Sequence, residues 1–176
     1  MTMEITIRPA VPEDAAAIAR LHLAVWRETY RELATPDAFR IMDEAFRRAR
    51  WTATLSEPGP DQLVLLAEQN GRLVGIGAAG APSLALFEGR GEIRSLYVDP
   101  AIKRQGVGRR LMRELALHLA ALDYPGAALG VVVGNDPAIA FYQLLGGRMT
   151  GHYTDPGPVW RSENIIFVWD DLTLLM

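Results

Sequence analysis

The sequence predicts an α/β protein: one mixed sheet with helices on both faces. Three observations carry that prediction. Along the 176 residues, apolar positions recur at a spacing of two in some stretches and near 3.6 in others. Asn70-Gly71 separates two β-like runs, the strongest short hairpin signal, because both residues tolerate positive φ. A single helical stretch joins two further β-like runs, 91–99 and 128–133. Such a β–α–β crossover is expected to be right-handed, with its strands parallel.

Taken in order, residues 4–10 (EITIRPA) alternate Ile5 and Ile7 with polar neighbours and read as a strand. Pro12, Glu13 and Asp14 supply a proline and two acids to a first helical turn. Ile18, Leu21 and Val25 follow at helical spacing, with Trp26 beside them. A second helix is expected over 36–55, opening at Thr35-Pro36-Asp37 and carrying Phe39, Met42, Phe46 and Trp51. Residues 63–69 and 73–79 form the hairpin, and 91–99 the next strand. In helix 107–122, Val107, Leu111, Leu115, Leu119 and Leu122 share one face. After strand 128–133, Asp136-Pro137 opens a short helix that Gly146-Gly147 closes. Residues 151–164 are rich in proline and glycine and read as a long loop between two strands; 165–172 is the last strand. The order is β α α β β β α β α β β, in a single domain over 1–176.

Composition excludes several functions. Net charge is −3, so the global basic footprint of a nucleic-acid binder is missing. The chain has no cysteine, which removes disulfides, thiolate metal sites and a cysteine nucleophile. The first residues lack the apolar core of a secretory signal, and no apolar run nears the ~18 residues of a membrane span, so a cytoplasmic chain is expected. His22, His118 and His152 are isolated, so no metal site is expected, and there is no G-x-S-x-G hydrolase elbow.

One charge concentration stands out. Lys103, Arg104, Arg109, Arg110 and Arg113 lie within 103–113 without an acid. Gly106 and Gly108 fall between a strand end and a helix start, where backbone amides lack internal partners and the helix dipole is positive. Strand end, glycines, helix start and cations together make a seat for a small anion such as a phosphate. The plainer reading is a helix with a basic outer face. Neither a P-loop nor a G-x-G-x-x-G fingerprint matches, since Leu111 stands where the third glycine belongs.

Residues 92–112 (EIRSLYVDPAIKRQGVGRRLM) resemble the acetyl-CoA motif of the GNAT N-acetyltransferases. Val98-Asp99-Pro100 is followed by Lys103-Arg104-Gln105-Gly106-Val107-Gly108, with Lys103 where glutamine or arginine is usual. Residues 131–147 resemble the family's strand–Asn–helix unit through Asn135, Ala138, Phe141, Tyr142 and Gly146, with Gly147 in place of phenylalanine. The opening residues 6–31 are also similar to many bacterial members.

The resemblance implies that the two parallel strands splay in a V and that acetyl-CoA lies in the opening. Its pyrophosphate would meet the amides of residues 104–109, including Arg104, Gln105, Val107 and Arg109. Its pantetheine would pair with the strand edge at Leu96, Tyr97 and Val98. Asn135 would bond the pantetheine arm, or else cap the helix. The implied activity is transfer of the acetyl group to a primary amine of a small molecule or peptide, without a covalent intermediate. A CoA-binding regulatory module of the same fold is the alternative, and a homodimer is common in the family.

Amine acetylation needs a neutral amine, a donor to the oxyanion and an acid for the leaving thiolate. Tyr142 is the candidate acid, or an aromatic core residue. The resemblance implies a backbone amide of the splayed strand as the oxyanion donor, here that of Val98. Glu92 is the candidate base, or an ion-pair partner of Arg94, and by alternation it shares a face with Arg94, Leu96 and Val98. Tyr30 and Glu28 are weaker candidates for the base. Trp26, Tyr30 and Arg94 are expected at the acceptor pocket, where aromatic walls would suit a cationic amine.

Overall fold

The computed structural model describes residues 4–102 and 104–176; Lys103, expected at the phosphate seat, lies outside them. The strands are β1 (Ile5–Pro9), β2 (Leu63–Gln69), β3 (Arg72–Gly80), β4 (Gly91–Val98), β5 (Ala127–Val132), β6 (Arg148–Asp155) and β7 (Ser162–Trp169). The α-helices are α1 (Ala15–Thr29), α2 (Pro36–Ile41), α3 (Glu44–Ser56), α4 (Val107–Ala121) and α5 (Asp136–Leu144). One seven-stranded sheet has the order β1-β2-β3-β4-β5-β7-β6. β4 and β5 pair in parallel, and the other described pairs are antiparallel.

The hairpin at Asn70-Gly71 forms as expected, with φ of 53° and 72°. Two expectations need correction. Residues 36–55 are two helices, because Asp43 acts as an N-cap: its side chain accepts the Phe46 amide at 2.8 Å. Residues 151–164 are largely a hairpin, with 156–161 as its turn region. β6 is an edge strand with both faces largely exposed, and its register shifts between Met149 and Gly151. A polar, irregular edge of this kind shows little period-2 alternation.

α4 covers one face of the sheet. Leu111, Leu115 and Leu119 are fully buried against a cluster that includes Leu65, Ala79, Ile93 and Phe167. α1 and α3 cover part of the other face, where Ile18 and Trp51 pack on Val64, Leu66 and Ile76. Removing a buried leucine from such a layer costs about 2–5 kcal/mol.

The features that shape the cleft lie in β4. Its parallel pairing with β5 covers only Gly91↔Ala127 and Glu92↔Ala128. β5 turns instead to β7, pairing with it as far as Val132↔Asn164. Beyond Glu92 the two strands therefore splay, and β4 keeps an unpaired edge toward the gap, as expected. β4 also carries a β-bulge: Ser95 pairs with Ala78 and Ile93 with Ala79, leaving Arg94 as the extra residue. The bulge breaks the expected alternation. Leu96 and Val98 face α4, opposite Gly77 and Gly75, whereas Ser95 and Tyr97 face the α1/α3 side with Glu92.

Candidate active site

The site is built in two lobes either side of β4. The first lies at the start of α4. Asp99, buried, accepts the Ala101 amide at 2.9 Å and pairs with Arg72, which closes the turn after β4. Arg104 and Gly106 both hold positive φ, 68° and 79°. Gly106 is the N-cap residue of α4, and a Cβ there would meet nothing within 4 Å, so its backbone is open to solvent. The Arg110 amide makes the first helical bond, to the Gly106 carbonyl at 3.0 Å. The amides of Val107, Gly108 and Arg109 therefore lack an intrahelical acceptor. Arg104, Gln105 and Arg109 are exposed beside them.

Not every feature of the motif serves that seat. Arg110 donates from Nη1 to the Ile5 carbonyl at 2.8 Å, tying α4 to the edge strand β1. At Gly108 the space for a Cβ is taken from within the chain: the Phe141 ring would stand 3.3 Å from it and Val98 3.7 Å. The missing side chain lets α5 approach α4.

Asn135 occupies the N-cap position of α5, but its side chain makes no capping bond. It lies in hydrogen-bonding range of the Tyr30 hydroxyl. Tyr142, one turn and a half into α5, is 8 % exposed among Phe141, Phe167 and Trp169. Burial first, then the neighbouring hydroxyls of Tyr30 and Tyr97, hold its phenol above the ordinary value. Tyr142 thus stands between the α4-side core and the two tyrosines of the second lobe.

The second lobe is a cavity of about 520 Å³ between α1, α3, β4 and the turn between β6 and β7. Trp26, Tyr30 and Arg94, the residues read as acceptor-binding, are among its lining residues. Trp160, from that turn, packs against Trp26 and Tyr30 with ring centroids 5.8 and 5.3 Å away. The expectation that the 151–164 segment covers the pocket thus holds for its turn. Tyr97 stacks on His22 at 4.2 Å, and burial raises its phenol.

Two expectations change here. Glu92 is 8 % exposed, with Oε1 accepting from Ser83 at 2.7 Å and Oε2 from Arg94 Nε at 2.9 Å. It is not among the described residues that line the cavity, and both of its oxygens are engaged. Nor does the face of Trp26 await a substrate cation. The Arg47 guanidinium already lies over it, with Cζ 4.7 Å from the ring centroid, a contact of about 0.5–2 kcal/mol.

Arg47 and His22 are the site residues the sequence reading missed. Arg47 sits in a run of arginines that looks like a solvated face, yet it is four residues before Trp51, on the buried side of α3. His22 and Trp26 on α1 and Tyr30 at its C-cap recur at intervals of four, the signal that could have grouped them.

A sheet opened between its two parallel strands, with bare amides on one side and an enclosed pocket on the other, is the architecture of a two-substrate group-transfer enzyme. The profile described as the Acetyltransferase (GNAT) family matches residues 23–146, well over half of the sequence, and the chain belongs to that family. As a member it is an acetyl-CoA-dependent acetyltransferase. It is 27 % identical to an uncharacterized N-acetyltransferase of Bacillus subtilis over 97 % of this chain and 96 % of that one. It is 30 % identical to a probable N-acetyltransferase of Mycobacterium tuberculosis, covering 79 % and 77 %. A solved structure of YncA, a putative acetyltransferase from Salmonella typhimurium with acetyl-CoA, superposes with TM-score 0.68 at 25 % identity, covering 94 % and 93 %.

Proposed function

We propose that the chain transfers an acetyl group directly from acetyl-CoA to a primary amine seated in the 520 Å³ cavity. The observation that carries this reading is the unpaired edge of β4 beyond Glu92, which leads from the amides at the start of α4 to the cavity. In this reading the amides of residues 104–109 take the pyrophosphate, helped by Arg104 and Arg109. Leu96, Tyr97 and Val98 offer their backbone to the pantetheine as an added strand would. Asn135, free of capping, bonds the same arm. The similar solved structure of YncA holds its cofactor acetyl-CoA, which supports the assignment.

The neutral amine attacks the thioester carbonyl, a C–N bond forms and the C–S bond breaks. A backbone amide on the open edge of β4, nearer the splay than the residues that hold the pantetheine, donates to the oxyanion. Tyr142 gives its proton to the departing thiolate, and the proton that the new amide nitrogen loses restores the phenol, directly or through water, so that the protons balance. Its raised phenol is fully protonated at neutral pH, so the acid is always loaded. Glu92, doubly engaged, holds Arg94 at the cavity wall in place of acting as base.

Thiol release with acetyl-CoA and an amine panel tests this. Tyr142→Phe is expected to lower kcat by about tenfold or more with CoA affinity unchanged. Full turnover by that variant would remove Tyr142 from the mechanism.

A further inference from the structure

Arg47 is 2 % exposed and lines the acceptor cavity. Its guanidinium offers five N–H donors and no acceptor. Nε donates to the Met42 carbonyl at 3.1 Å. Nη1 stands 2.9 Å from His22 Nε2. Nη2 is the one buried side-chain nitrogen without a hydrogen-bond partner among the described residues.

The contact with His22 depends on the tautomer of its ring. Trp51 Nε1 can only donate, and it points to His22 Nδ1 at 3.0 Å. A neutral imidazole has one acceptor nitrogen, so Trp51 and Arg47 compete for it and the ring satisfies one of the two donors. At best it takes one of the two N–H groups of Nη1. Nor does a doubly protonated ring resolve the conflict, since it would add a second cation. With either neutral tautomer, both N–H groups of Nη2 and at least one of Nη1 are left without an acceptor among the described residues.

Its charge is also uncompensated. Among the described residues, no carboxylate lies within 4 Å of Arg47. Arg94, also on the wall, is paired with Glu92, while Arg50 adds a further cation. Asp155 is the one acid among the described lining residues. The face of Trp26 offsets only part of the desolvation of a buried guanidinium. Such a fork matches a two-oxygen anion.

We infer that the acceptor is an amine that also carries a carboxylate, an amino acid in chemical class, and that Arg47 binds this carboxylate through Nη1 and Nη2. The inference rests on the acetyl-transfer reading above. It turns the expected preference around: the cavity recognises the anionic end of its substrate and disfavours amines that lack one.

The test uses matched pairs: L-phenylalanine with 2-phenylethylamine, L-methionine with 3-(methylthio)propylamine, and L-leucine with 3-methylbutylamine. Binding to the CoA-loaded protein is followed by calorimetry, and turnover by thiol release. In the wild-type protein, at least one pair is expected to favour its amino acid by about 100-fold or more, because a buried fork left unpaired rejects the analogue. Arg47→Met is expected to bring that ratio within about threefold, and Arg47→Lys to keep part of it. CoA binding by each variant reports that it is folded. Equal binding within every pair, or no binding of any amino acid, would overturn the inference and leave Nη2 satisfied by solvent alone. Loss of CoA binding by the wild type would instead overturn the acetyl-transfer reading itself.

Discussion

His22 shows how a single residue couples the pocket to stability. Burial, then the charges of Arg47 and Arg50, push its imidazole down to about 3. The folded chain therefore keeps His22 neutral where the unfolded chain protonates it, between the ordinary value near ~6.5 and about 3. Across that window the unfolded state binds more protons, so stability falls as pH falls. From pH 6.5 to 5.0 the loss from this group approaches about 1.5 kcal/mol. Urea titrations of wild type and His22→Asn are expected to diverge by that amount over this range, the variant being the flatter. Parallel profiles would mean that His22 titrates as a free histidine.

At the scale of elements, α4 and β4 do most to place the site. α4 is held by its inner face, so Leu115→Ala is expected to cost about 2–5 kcal/mol. Leu117→Ala, on the partly exposed outer face, is expected to stay within about 0.5 kcal/mol. Equal urea midpoints for the two would contradict the packing described. The inner stripe of α4 was readable from its period of 3.6 at Val107, Leu111, Leu115 and Leu119, but Leu122, read onto the same face, lies past the helix end and is 42 % exposed. β4 was readable as a strand but not as a bulged one. One extra residue, Arg94, reverses the faces of everything after it, and nothing in the local composition announces it. For the same reason Glu92, Leu96 and Val98 read as one face when they are two. The split at Asp43 was legible in principle, as an acid three residues before Phe46, but an unbroken apolar spacing obscured it.

At the scale of the whole molecule, the two family motifs fall on the elements expected of them, and the strands splay between them. Local features written in single residues were legible: the strand read over 91–99 ends at Val98, and Gly106 stands at the helix start as read, although its positive φ was not foreseen. The cavity was only partly legible. It is assembled from α1, α3, β4 and the turn between β6 and β7, and two of its lining residues, Arg47 and His22, are recognisable only once burial is known. An acidic chain, net −3, thus encloses a pocket wall where arginines outnumber acids, a contrast that total charge conceals. No described helix is long and apolar enough to cross a membrane.

The claim on which the mechanism depends is that the amides around residues 104–109 hold the pyrophosphate of CoA. Calorimetric titration of CoA into the wild-type protein and Gly106→Val tests it most directly. One site is expected, with a Kd on the order of 1–100 μM, weakened about 30-fold or more by a β-branched residue at the positive-φ position. A flat trace at millimolar CoA, or equal affinity in the two folded proteins, would contradict it.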